Sequence, residues 1–340
     1  MRSFSPPLLF PSSLVLLLFL TLLSACTPSS ASPTPRPTPV VHLITPTPHL
    51  AISPPEPTFR IIGYVTDEID PALIPYTQLT HLNYAFVTPN ADGTFQDVAY
   101  PDKLKTIVEQ AHVHGVKILI SVGGWGWDAQ FETLTADPAS RATFVSGLVA
   151  YAAEHRLDGL DIDWEYPDPG TSAQNFLALM QDLRTALPAE SLLTAAVLAE
   201  GDTATGILPA AFPLLDFVNI MAYDASNTDH SPYTYAEAAI HFWLQRGLPP
   251  EKAVLGVPFY ARPNWVPYRE LIAANPEAAY LDVIEYAGEK VYYNSQETMA
   301  AKTRLAMQQG SGIMIWTLSF DTFGETSLLT VIYNTVHIAP

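Results

Sequence analysis

The chain has 340 residues, 48% of them hydrophobic, enough for one large domain with a substantial core or for two small ones. It carries 16 Lys and Arg against 34 Asp and Glu, a formal net charge of −18. A surface this acidic excludes nucleic acid and anionic lipid headgroups as partners and leaves a neutral substrate easy to accommodate.

At the N-terminus, Arg2 precedes a mostly apolar stretch from Leu8 to Leu23, interrupted by Pro11, Ser12 and Ser13. Its unbroken part, Leu14 to Leu23, is shorter than the roughly 20 apolar residues that cross a bilayer as a helix, so it reads as a targeting segment. It runs into Leu23-Ser24-Ala25-Cys26, which resembles the lipobox of bacterial lipoproteins, where the signal is cut before a cysteine whose thiol is acylated. The resemblance implies a signal peptide over 1–25 and lipidation at Cys26; the alternative is an ordinary secretory signal. Cys26 is the sole cysteine, so an exported chain would have no intramolecular disulfide and would rely on its core. From Thr27 to Thr58 there are ten prolines among many Ser and Thr, with only Arg36 and Glu56 charged. Such sequence stays extended and buries no core, so 26–58 reads as a semi-rigid tether holding a domain away from a membrane. The membrane would be met through the lipid anchor only.

From Phe59 the rhythm changes, and 59–340 reads as one domain. Short apolar or β-branched runs appear at Phe59–Val65, Leu79–Val87, Val116–Gly123, Leu157–Trp164, Leu192–Ala199, Phe217–Tyr223, Ala253–Tyr260 and Gly312–Leu318. Helix-like segments lie between them, including Asp102–His114, Pro138–His155, Ser172–Leu187 and Tyr235–Arg246. Pro138 suits a first helical turn, and Gly115 and Gly247 suit helix C-terminal caps. Strands alternating with helices in this number predict an α/β fold, a (β/α)8 TIM barrel. An open doubly wound sheet competes, but no G-x-G-x-x-G follows the first strand.

The fourth run ends in Asp158-Gly159-Leu160-Asp161-Ile162-Asp163-Trp164-Glu165-Tyr166-Pro167. Side chains alternate faces on a strand, so Asp161, Asp163 and Glu165 share one face, and Ile162 and Trp164 the other. Three carboxylates facing a barrel interior are costly unless the site uses them, and catalytic groups sit at the C-terminal ends of barrel strands. Neighbouring carboxylates cannot all ionise cheaply, so the row is expected to retain a proton near neutral pH, as a general acid requires. The proton belongs to the cluster, and its assignment to Glu165 rests on position. Two other readings compete. A divalent cation could take these oxygens, but the Gly-containing turn of an EF-hand loop is missing. An acidic surface edge is opposed by the apolar residues interleaved along the run.

The spacing of Asp158, Asp161, Asp163 and Glu165 fits the D-x-x-D-x-D-x-E signature of glycoside hydrolase family 18, the chitinase family. Ser121-Val122-Gly123-Gly124-Trp125 resembles that family's third-strand motif and Met221-Ala222-Tyr223-Asp224 its sixth. Gly256-Val257-Pro258-Phe259-Tyr260-Ala261-Arg262 resembles the seventh, and Ile315-Trp316-Thr317-Leu318 stands where the eighth carries a tryptophan. The resemblance implies a retaining, substrate-assisted cleavage of N-acetylglucosamine polymers, with no enzyme carboxylate as nucleophile. Glu165 would protonate the glycosidic oxygen. Asp163 would orient the acetamido group, with Asp161 behind it sharing its proton. Tyr223 would donate to the acetamido oxygen, with Asp224 and Met221 near the sugar. Trp316 would floor the cleaved position, with Tyr64, Phe86 and Trp125 as further lining and Trp265 and Tyr268 beside the cleft. An aromatic near a strand end is more often core than platform; the resemblance reverses that for Tyr223 and Trp316 only.

No H-E-x-x-H and no Cys/His cluster occurs, so no metal or organic cofactor is expected. Between Arg262 and Ile313 there is little room beyond a connection and a helix over Gln296–Gln309. The α+β insertion that many family members carry between strands seven and eight is thus expected to be reduced or absent. The groove would be shallow, and short or soluble oligomers would be favoured, bound by a monomer. Other readings of the same barrel are a hydrolase of peptidoglycan or N-glycan cores and a non-catalytic lectin. Inactive relatives usually lack the terminal Glu of the signature, which is present here as Glu165.

Overall fold

A computed structural model describes residues 59–338; the signal-like segment, Cys26 and the Pro-rich tether lie outside the described residues. Eight parallel strands form the barrel: β1 (Arg60–Thr66), β2 (His81–Pro89), β3 (Lys117–Gly124), β4 (Gly159–Trp164), β5 (Leu192–Leu198), β6 (Phe217–Met221), β7 (Ala253–Pro258) and β8 (Gly312–Trp316). Each pairs with the next, and β1 pairs with both β2 and β8, which closes the sheet and removes its edges. The open-sheet alternative is thereby excluded.

All eight expected strands are present, with ends displaced by a residue or two. The helices around them are α1 (Pro101–Val113), α2 (Asp128–Ala136), α3 (Pro138–Glu154), α4 (Thr171–Ala186), α5 (Tyr233–Gln245), α6 (Tyr268–Ala274), α7 (Gln296–Gln309) and α8 (Leu328–His337). Pro138 opens α3 behind an Asp137 side chain that accepts from the Ser140 amide. Gly115 and Gly247 follow α1 and α5 with φ of 72° and 91°, the left-handed geometry that turns the chain off a helix end.

The strand parity read from sequence separates two apolar layers. Ile162 and Trp164 of β4 point outward, and the Trp164 ring stacks on Phe131 of α2 at 5.1 Å while its indole N–H donates to Asp128 at 2.8 Å. The opposite parity fills the barrel: Ile62, Tyr64, Leu119, Leu192, Phe217, Val254 and Met314 form a second buried cluster inside it. Asp161 and Asp163 belong to this inner face and are 0% and 4% exposed. Asp158, the first residue of the signature, lies at the opposite end of β4. It pairs with Lys117 at 2.8 Å and His112 at 3.0 Å and accepts from the Ile118 amide, tying the starts of β3 and β4 together.

Between β7 and β8 the insertion is reduced rather than absent. It consists of a short pairing of Tyr260–Ala261 with Val266–Pro267, then α6 and a two-stranded ribbon, Val283–Tyr286 with Glu289–Tyr292.

Candidate active site

Asp161 anchors the site. Its Oδ2 accepts from the Tyr64 hydroxyl at 2.5 Å and from Ser121 Oγ at 2.8 Å. Its Oδ1 accepts from Thr194 Oγ1 at 2.5 Å and from Asn219 Nδ2 at 3.1 Å. Four donors from β1, β3, β5 and β6 thus occupy both oxygens, the condition under which a buried carboxylate can stay ionised. Burial raises the Asp161 carboxyl above its ordinary range, and these hydrogen bonds oppose that rise without cancelling it. Tyr64, pushed far up by burial and by the Asp161 and Asp163 charges, remains a phenol and therefore a donor.

Asp163 is treated differently. It is buried, and its Oδ1 has no hydrogen-bond partner among the described residues. Burial raises its pKa well above the ordinary carboxyl range, and the charges of Glu165 and Asp161 add to that. Glu165, half-buried just past the end of β4, is raised as well, first by burial and then by Asp224, with Tyr166 opposing. The pair therefore retains a proton between its members. Crowding alone was the expected cause; burial is the larger one. Asp161, which also raises Asp163, already accepts four hydrogen bonds at its two oxygens.

Gly123 and Gly124 let β3 approach the row. They have φ of 116° and 86°, and a Cβ on Gly123 would lie 2.3 Å from the Asp163 carbonyl oxygen. At the end of β6, Met221 is 8% exposed and packs into the inner apolar cluster. Tyr223 follows it; burial holds its hydroxyl well above the usual phenol range, ahead of the influence of Tyr260, Asp163 and Glu165. It is thus a standing donor next to the carboxylate pair. Asp224 has φ of 59° and accepts from the Tyr260 hydroxyl at 2.8 Å, with Arg262 Nε at 3.5 Å. Trp316 ends β8 and rests edge-on to Tyr64 at 5.6 Å and tilted to Phe86 at 5.7 Å, so those two rings fix the plane of the indole.

Two expectations need correction. Tyr64 does not line the cleft: it is 1% exposed, lies against Trp316, and its hydroxyl is engaged by Asp161. Tyr268 is fully buried and donates to the Thr326 carbonyl at 3.0 Å. Trp125 stands at the other extreme, 79% exposed and edge-on to Tyr166 at 6.4 Å. Trp265 stacks on Tyr260 at 4.6 Å and lies under the Arg262 guanidinium, so it braces the two side chains that hold Asp224. Thr194, Asn219, Tyr260 and His230 were not assigned roles from sequence. Thr194 and Asn219 had a legible signal, being polar residues at inward positions of otherwise apolar strands. Among the described residues, no group of three or more His, Cys, Asp or Glu side chains is placed to hold a metal ion.

Comparison with known proteins places the whole barrel in one family. The model of Glycosyl hydrolases family 18 matches residues 60–321. The chain belongs to that family. A chitinase from Aphanocladium album is 30% identical over 248 residues, and mouse chitotriosidase-1 is 30% identical over 278. These matches cover 59% and 61% of this family 18 chain and 59% of each relative, so it spans little more than half the length of those proteins. The crystal structure of a family 18 chitinase from Flavobacterium johnsoniae superposes with a TM-score of 0.71 at 30% identity, covering 82% of this chain and 94% of that one. A chitinase from Bacteroides thetaiotaomicron gives 0.74 at 25% identity, covering 83% and 97%.

The state of Asp163 in this family 18 site has a measurable consequence. Its pKa is raised in the native state relative to about 3.8 unfolded. The native state therefore binds more protons across the window above that value, and wild-type stability declines there as pH rises. Asp163→Asn removes the titration. The unfolding temperature of the variant minus that of wild type should increase as pH is raised from 4 to 7, read by calorimetry. A difference independent of pH, or one that shrinks, contradicts the raised pKa.

Proposed function

We propose that the chain is a retaining glycoside hydrolase that cleaves β-1,4-linked N-acetylglucosamine oligomers and polymers by substrate-assisted catalysis. One observation carries the reading: a single strand presents a fully hydrogen-bonded carboxylate, Asp161, then a proton-retaining pair, Asp163 and Glu165, beside a phenol donor and a half-buried indole. The family match and the chitinases among its relatives support the substrate class.

Glu165, outermost of the row, gives its proton to the glycosidic oxygen as the bond to the anomeric carbon breaks. The acetamido carbonyl of the same sugar attacks that carbon and closes an oxazolinium ring. Asp163 accepts a hydrogen bond from the acetamido N–H and opposes the positive charge, while Asp161 keeps the local field negative beneath it. Tyr223, whose hydroxyl is held in its protonated form by burial, donates to the acetamido oxygen and orients it for attack. Glu165, now ionised, takes a proton from the water that opens the ring. Two inversions at one carbon return the β configuration. Trp316 supplies the apolar floor for the ring, with Asp224 near its hydroxyls.

The small β7–β8 insertion leaves the groove open on one side and suits short or soluble chains bound by a monomer. The exposed Trp125 offers a sugar-stacking face at the rim. The sequence before the barrel supports an exported lipoprotein: signal peptide 1–25, acylated Cys26 and a tether to 58 that positions a catalytic domain, 59–340, at the cell surface.

Glu165→Gln removes the acid and nearly preserves its shape. Turnover of a chromogenic chitobioside should fall roughly 10²- to 10⁴-fold with the unfolding temperature little changed; retention of half the wild-type rate sinks the assignment. Cys26→Ala should abolish incorporation of labelled palmitate and leave the protein unprocessed or soluble. Wild-type fractionation and labelling would show that Cys26 is not the anchor.

A further inference from the structure

Lys302 is the one lysine among the described residues that is completely buried, 0% exposed, and it lies on α7, outside the row of carboxylates. A buried ammonium is costly unless its donors are met. Its Nζ donates to the Ser231 carbonyl, to Ser231 Oγ at 2.7 Å and to Asn294 Oδ1 at 2.7 Å. Asn294 Nδ2 in turn donates to the Ser231 carbonyl at 2.9 Å, so one peptide oxygen is gripped twice. All three residues are buried.

Ser231 closes the exposed loop that leaves Asp224 and returns to α5. Its Oγ donates to the Ala222 carbonyl at 2.6 Å, and Ala222 immediately precedes Tyr223. The residue before it, His230, is 1% exposed, with Nε2 facing the Tyr260 carbonyl at 3.3 Å and Nδ1 accepting from the Asp224 amide at 3.4 Å. The base of the loop is therefore fastened to the Tyr223–Asp224 backbone at two adjacent points, and the fastener is itself fixed from below by Lys302.

We propose that Lys302 is a positioning residue that sets the backbone of Tyr223 and Asp224 through Ser231. The inference rests on the role given above to Tyr223. Burial pulls the Lys302 amine down to about 7, with Asp229 and Asp282 opposing, so its contribution is that of a directed hydrogen-bond donor as much as of a charge. An apolar residue of the same length can fill its space while losing every donor, which separates the hydrogen bonds from the packing.

The test uses the full chain with Lys302→Met, Ser231→Ala, Tyr223→Phe and the Lys302→Met/Tyr223→Phe double variant. Hydrogen exchange of the 222–231 amides should accelerate about tenfold in Lys302→Met and in Ser231→Ala, with β2 and β3 unchanged. On chitotetraose, kcat of Lys302→Met should fall roughly 10- to 100-fold, as for a displaced orienting group, with KM within about threefold of wild type. The double variant should be no slower than Tyr223→Phe alone, because both changes act on one group. Exchange that stays at the wild-type rate, or losses that multiply in the double variant, overturns the inference. If Lys302→Met does not fold, Ser231→Ala decides by the same readings. If wild type fails to turn over chito-oligosaccharides, the functional reading falls, and hydrogen exchange alone decides the structural link.

Discussion

A negative charge at the centre of a closed barrel is the constraint around which this molecule is organised. The effective cost of burying an ion is several kcal/mol even after relaxation. Asp161 offsets it with four hydrogen bonds drawn from four different strands. The arrangement is possible only because strand parity turns Tyr64, Ser121, Thr194 and Asn219 inward at the same level. Once this charge is fixed, its neighbours respond. Asp163, equally buried but without such partners, cannot also ionise cheaply, and the proton settles on it and Glu165.

The same anchor reaches the aromatic floor. Tyr64 holds Asp161 by its hydroxyl and packs against Trp316 by its ring, while its backbone carbonyl accepts from Thr317 at 2.7 Å. One side chain thereby links the buried charge to the surface on which a sugar ring would rest. After β6, Asp224 is surrounded by Tyr260, Arg262 and His230, with Trp265 bracing the first two. The site combines a rigid row on β4 with a loop after β6 that is fastened from behind, which is how preorganised donors are kept in place without contacting substrate themselves.

Much of this was legible in the sequence because it follows from local rules. Eight short runs separated by helical stretches specify the barrel, and a period of two places Asp161, Asp163 and Glu165 on one face. The ends of α1 and α5 follow from Gly115 and Gly247. What escaped depends on contacts between residues distant in the chain. Tyr64 lies near a strand end, like Trp316, and only the packing shows that one ring covers the other. Tyr268 follows the seventh-strand motif closely, yet the backbone folds it inward. His230 and Lys302 carry no motif; their relation to Tyr223 appears only when the loop after β6 is seen resting on α7. Within the carboxylate row, sequence could indicate that a proton is retained but not which residues hold it, because that turns on which oxygens already have donors.

The central claim is that the substrate's own acetamido group, oriented by Asp163 and Tyr223, takes the place of an enzyme nucleophile. It is tested most directly by following early turnover of partly deacetylated chitosan by proton NMR and sequencing the new reducing ends. The account predicts N-acetylglucosamine at every new reducing end and a first product in the β configuration. Glucosamine at those ends, or an initial α anomer, would contradict it.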